Sequence, residues 1–197
     1  GYGSFIHPSF QLHSMRNCFL SPLFAVLAVL TLASTPTVQG EEAAAKPLKV
    51  GSFSFSVGAP WKESDTPGPM SQGTIETPGK DGAAGLKASF YHFGPGQGGA
   101  LSGNIERWQG MFQSSPAVKT EKEEMEFGKE KATLVTLSGT YVGSRFSPEK
   151  EPRVEYTLLA AVLPSEAGDV YIRLVGPSAG VAAAREDFKK MLLTAVK

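Results

Sequence analysis

RVEYTLLAAVLPSEAGDVYIRLVGPSAG, residues 153–180, decides the fold. Its first part, Arg153–Leu163, is apolar on both faces for most of its length. A strand of that kind lies in the middle of a sheet that is covered on both sides. SEAGD (165–169) is a short connection, so the strand over 169–175 pairs with it as an antiparallel hairpin. The chain then enters an amphipathic helix near Ser178. Val181, Ala184, Phe188, Met191, Leu192 and Ala195 fall on one stripe of that helix. Arg185, Glu186, Lys189 and Lys190 are expected to face water, with Glu186 and Lys190 at a favourable i,i+4 spacing.

Working toward the N-terminus, KTEKEEMEFGKEK (119–131) predicts a solvated hairpin turning at Gly128, followed by a strand over 132–141. A helix is expected over 102–113, with Ser102 as N-cap and Ile105, Trp108 and Phe112 on one stripe. KASFYHF (87–93) alternates as a strand with aromatic residues on both faces. SFSFSVG (52–58) puts Phe53, Phe55 and Val57 on one side and serines on the other. The six glycines and four prolines of residues 58–87 favour loops, with one weak strand near 70–77. Residues 41–50 are expected to form a flexible lead-in. The sum is a single α+β domain, 51–197, with one antiparallel sheet of about six strands packed against two amphipathic helices.

Residues 15–40, MRNCFLSPLFAVLAVLTLASTPTVQG, have the order of a secretory signal peptide. One basic residue, Arg16, precedes an apolar run from Phe19 to Ala33, and small residues follow. The run covers 15 residues, short of the roughly 20 that a membrane-spanning helix needs. Cleavage is expected after Gly40, with Val38 and Gly40 as the small residues before the cut. Retention as an anchor is the competing reading. GYGSFIHPSFQLHS (1–14) carries no periodicity and is read as translated upstream sequence or a disordered segment.

Composition narrows the chemistry. Removing residues 1–40 from 197 leaves 157, of which 18 are basic and 19 acidic. That near-neutral balance argues against nucleic acid or an anionic membrane surface as partner. Cys18 leaves with the leader, so disulfides, thiolate metal sites and cysteine nucleophiles leave with it. His92 is then the one remaining histidine, too few for a histidine-ligated zinc. No cofactor and no metal are expected, and no membrane anchor is expected after cleavage.

Few residues suggest a site. Gly94, Gly96 and Gly99 satisfy G-x-G-x-x-G between a strand and a helix, the local setting of a dinucleotide fingerprint. Pro95 lacks an N–H, and the strand–helix alternation of a doubly wound sheet is missing, so a turn needing positive φ is preferred. His92 shares a strand face with Ala88 and Phe90 and is expected to be packed or hydrogen-bonded. Glu121, Glu123, Glu124 and Glu126 alternate with lysines, which describes a solvated face rather than catalytic carboxylates. Trp108 belongs to the core on its helical stripe, while the role of Trp61 stays open.

The segment YHFGPGQGGALSGNIERWQGMF (91–112) resembles the signature of a family of exported bacterial proteins of unknown function, typical of planctomycetes. Its marks are the F-G-P-G-Q-G-G loop and the N-I-x-R-W helix, with similar flanking pieces near Trp61, at 138–141 and at RLVGPSAGV. More loosely, the chain is similar to the PsbP/Mog1-like fold, an antiparallel sheet sandwiched by helices. That resemblance implies an accessory or binding protein, although fold alone does not transfer function.

The expectation is an exported, non-catalytic accessory or ligand-binding protein taking a small molecule or an envelope component. A site would use Gly94, Gly96, Gly98 and Gly99, with Asn104 as an amide and Arg107 as a fork for a carboxylate or phosphate. The competing role for Asn104 and Arg107 is to cap and pin the loop. A carboxylate-based extracytoplasmic hydrolase and a structural envelope protein are the alternatives. The first needs two carboxylates in a cleft, and the second predicts no pocket. Mass spectrometry of the exported protein is expected to find an N-terminus at Glu41. A product that keeps Phe19–Ala33 would contradict cleavage.

Overall fold

The computed structural model describes residues 45–80 and 82–195, with Ser147 described by its backbone alone. Segment 1–14, the leader reading at 15–40 and the start of the lead-in lie outside the described residues. Nine strands and two helices follow in order: β1 Lys46–Val50, β2 Phe53–Val57, β3 Lys62–Glu63, β4 Gly73–Glu76, β5 Lys87–His92, α1 Leu101–Gln109, β6 Lys119–Phe127, β7 Glu130–Ser144, β8 Ser147–Leu163, β9 Val170–Pro177 and α2 Ser178–Leu193.

The expected α+β class holds, with a correction to the sheet. Seven strands form one sheet in the order β3-β4-β5-β9-β8-β7-β6, and β1 and β2 form a separate hairpin. Every described neighbour pair is antiparallel. The expected flexible lead-in is instead β1. Its two lysines and Pro47 disguise a strand whose alternate residues, Leu48 and Val50, are buried. Pro47 is tolerated because β1 is an edge strand, paired on one side only.

The two faces of β8 enter two different cores, as its apolar run requires. Leu159, Ala161 and Leu163 join Ala88, Phe90, Ile172 and Leu174 on one face, beneath Val181, Phe188 and Leu192 of α2. Residues of the β1–β2 hairpin close the same core, with the Phe55 and Phe90 rings 5.1 Å apart and Phe53 edge-on to Phe127 at 5.5 Å. Full burial of a side chain such as Phe188 stabilises by about 1.5–3 kcal/mol. Leu158 and Ala160 face the other way, with Val135, Leu137, Trp108, Met111 and Phe112.

α1 is shorter than the expected 102–113. It ends at Gly110, and the chain then pairs with β7: Gln113 N–H donates to Thr140 at 2.8 Å and Val142 N–H to Met111 at 2.8 Å. Phe112 is buried from this bridge rather than from the helix. Ser102 is exposed in the first turn, and the N-cap is Ala100, with no side-chain cap.

β7 and β8 run well beyond the strands expected at 132–141 and 153–163. VGSRFSPEKEP (142–152) has loop-like composition but continues the hairpin to a turn at Arg145 and Phe146. Register shifts between Gly139 and Tyr141 and between Tyr141 and Gly143 bend this extension.

The predicted hairpin at Gly128 is present, with φ 63° at that glycine. Its acidic face is not simply solvated. Glu123 on β6 receives Arg185 at 2.9 Å and Lys189 at 2.8 Å, so two residues expected to face water tie α2 to the sheet edge. Within the helix the ion pairs are Glu186–Lys189 and Asp187–Lys190, in place of the expected Glu186–Lys190 pair.

The ammonium of Lys189, in close ion-pair contact, with Arg185 beside it, holds the Glu123 carboxyl below the ordinary carboxylate value of 4.5. A depressed folded value stabilises above the unfolded one, and that contribution is lost as pH falls through the folded value. The pair is partly exposed and screened, so Glu123→Gln is expected to cost about 0.5–1 kcal/mol at neutral pH. Urea midpoints of the two proteins should converge in acid. A gap that persists or widens there would contradict this account.

Candidate functional site

β5 and β9 lie side by side with Tyr91 opposite Tyr171 and Ser89 opposite Arg173. The period of two sends Ala88, Phe90, Ile172 and Leu174 into the core under α2. The alternate residues, Lys87, Ser89 and Tyr91 on β5 and Tyr171, Arg173 and Val175 on β9, point to the opposite face. α1 has only nine residues and covers the β7–β8 side of that face. The β5–β9 side is therefore left as the floor of a groove.

The groove encloses about 740 Å³. Tyr91, Tyr171 and Arg173 are on its floor side, Asn104, Arg107 and Trp108 come from α1, and Ser144, Arg145 and Phe146 come from the hairpin tip. The bent extension of β7–β8 thus builds one wall of the cavity. A smaller space of about 270 Å³ adjoins it, sharing Pro69, Tyr91, Met111, Ser144 and Arg173 and adding Lys87, Glu149, Arg153 and Tyr156.

Arg173 is half-buried at the junction of these two spaces. Its guanidinium carbon sits 4.4 Å above the Tyr91 ring centre, a cation–π contact, and one terminal nitrogen donates to the Tyr91 hydroxyl. The other terminal nitrogen lies 3.5 Å from Met111 sulfur. Arg153 differs, since its Nε donates to Glu149 at 2.8 Å. Burial raises the Tyr141 phenol pKa. Burial also raises that of Tyr171, with Asp169 adding to the rise and Arg107 opposing it. Both phenols remain protonated at neutral pH and can donate hydrogen bonds.

Of the residues expected from the sequence, Gly98, Asn104 and Arg107 line the groove, and Gly94, Gly96 and Gly99 do not. The last three make the turn, with φ of 89°, 69° and 75°. Gly98 has a different reason to be glycine: a Cβ there would fall inside the Tyr171 phenol. Asn104 is buried and donates to the carbonyls of Gly98 at 3.0 Å and Ala100 at 3.1 Å, while its oxygen accepts from Arg107 at 2.5 Å. The pinning role falls on Asn104, and Arg107 keeps an exposed guanidinium at the groove.

His92 lies on the strand face away from the groove, its Nε2 2.9 Å from the Ala167 carbonyl, as a hydrogen-bonded histidine. Trp61 packs partly buried against the α2-side core. Sequence reasoning missed Tyr91, Tyr171, Arg173, Arg145 and Phe146. The alternation of β5 and β9 carried a signal for the first three. Nothing in 145–146 announced that a hairpin tip would reach the site.

No family model matches the chain, and no curated protein matches it. Among solved structures, it is similar to a Pseudomonas aeruginosa protein of unknown function, at 11% identity and TM-score 0.47, over 78% of this chain and 97% of that one. It is also similar to cyanobacterial PsbP (CyanoP) from Synechocystis, at 14% identity and TM-score 0.44, over 81% and 95%.

Asn104→Ala leaves the Gly98 carbonyl without its side-chain donor, while Ala100 keeps the Asn104 backbone N–H, and is expected to destabilise by about 1–3 kcal/mol. Arg107→Ala, exposed, should stay within about 0.5 kcal/mol. Urea denaturation of both variants checks the ranking, and equal losses would contradict the division of roles.

Proposed function

We propose that the mature chain is an exported, non-catalytic binding protein that takes a small organic ligand in the groove between α1, the β5–β9 floor and the β7–β8 tip. The observation that carries this reading is where the exposed apolar side chains lie. Five large hydrophobic residues are exposed among those described, Met70, Phe93, Phe146, Val154 and Leu193. Met70, Phe93 and Phe146 all line this one concavity. Apolar surface gathered around a cavity with a few convergent polar groups is the usual form of a ligand site.

Two features favour binding over the alternatives. A structural envelope protein has no use for a concave site beside an arginine-bearing helix. A carboxylate-based hydrolase needs two carboxylates in its cleft. Among the described residues, the larger space is lined by Glu106 alone of that type, and the smaller by Glu149, which Arg153 already holds. Export rests on the leader pattern of 15–40 and Gly40. Membership of the planctomycete-type family rests on FGPGQGG and NIERW.

A ligand that binds the folded state alone raises its stability by about 2.7 kcal/mol at a hundredfold excess over Kd. A thermal-shift screen of sugars, peptides and organic anions should therefore find a class that raises the melting temperature. Phe93→Ala, at an exposed position, should shrink that rise without lowering the unliganded melting temperature much. A rise that Phe93→Ala leaves intact, or no rise with any class, would contradict the groove as the site.

A further inference from the structure

The charge of the groove is out of step with the chain. The sequence has 19 basic and 19 acidic residues, yet among the described residues the two adjoining spaces are lined by five basic side chains and two carboxylates. Arg153 and Glu149 neutralise each other. Lys87 donates to the Thr66 carbonyl at 2.9 Å, a neutral partner. Arg107 bonds the Asn104 amide oxygen, and Arg173 bonds a phenol and a thioether. Among the described residues, no ion pair reaches Lys87, Arg107, Arg145 or Arg173.

Arg173 is the most telling of the four. It is half-buried in the central part of the sheet, where an arginine usually meets a carboxylate. Tyr91 holds it from one side by ring and hydroxyl, which fixes the plane of the guanidinium. The fork has five N–H groups, and these contacts engage one on each terminal nitrogen. The remaining donors suit two oxygens of one oxyanion, the bidentate geometry that arginine serves better than lysine. The apolar rim of Phe93, Phe146 and Met70 lies around the same cavity.

Resting on the groove as the binding site, we infer that its ligand is an organic oxyanion. A carboxylate, sulfonate or phosphate would sit on Arg173, with Arg107 and Arg145 nearby, and a flat apolar body would lie against Phe93 and Phe146. Arg173 is the specificity-determining residue, since it tells the anion from a neutral molecule of the same shape.

The test uses two fluorescent probes of one shape, anilinonaphthalene sulfonate and its uncharged parent, N-phenylnaphthylamine. The intact protein should bind the sulfonate about tenfold more tightly than the neutral probe. Added sodium chloride should weaken the sulfonate alone. Arg173→Gln should bring the two affinities together, and Arg173→Lys should restore part of the preference. Arg145→Gln, at an exposed position where folding is not at stake, should reduce the preference severalfold.

Equal affinities in the intact protein, or a preference that both glutamine variants leave unchanged, would overturn the anion class. If Phe93→Ala then weakened both probes, the groove itself would still stand. Failure of both probes to bind would overturn the groove and the anion together.

Discussion

The apolar run Leu158–Leu163 cannot be left in water on either face, and the rest of the structure is arranged around covering it. Leu159, Ala161 and Leu163 require one lid, and Leu158 and Ala160 require another. The first is generous: sixteen residues of α2 together with the β1–β2 hairpin and its phenylalanine contacts. The second is meagre. α1 contributes nine residues, with Trp108 as its large buried anchor, and the Met111–Phe112 bridge extends the cover over β7.

The imbalance between the lids creates the groove. What α1 covers only in part is the β5–β9 strip, where the same period of two that fills the core places buried Tyr91 and Tyr171 and half-buried Arg173 on the groove side. The bulged end of the β7–β8 hairpin then adds a wall that the sheet alone would lack. Gly98 meets the Tyr171 ring so closely that the glycine loop seats directly on β9. Asn104 fixes the loop from below, which leaves Arg107 available at the surface. A closed core and an open groove are thus opposite faces of one pair of strands.

Much of the fold was legible in the sequence, because strong periodicity has few physical readings. A strand apolar on both sides must be central, and the C-terminal stripe ending at Ala195 must be a docked helix. The glycine loop was legible as a turn. Weak or mixed signals were lost: KPLKV offers only two buried residues as β1, and 142–152 hides the hairpin extension behind prolines and charges. From the sequence Glu123 looks solvated, because its partners, Arg185 and Lys189, lie far along the chain. The lining of the groove was half legible. Asn104 and Arg107 were found from their helix, whereas Arg173 looked like one polar residue in an apolar strand. Only its position beside Tyr91 gives it chemical meaning.

The central claim is that the face under α1 is the open, ligand-taking face and the face under α2 is closed. Two-dimensional amide NMR of the labelled protein, titrated with the sulfonate probe, tests it most directly. The account predicts shifts in β5, β9, α1 and the turn at Arg145 and Phe146, with β1, β2 and α2 unmoved. Shifts centred on α2 and the β1–β2 hairpin, with Tyr91 and Arg173 unmoved, would contradict it.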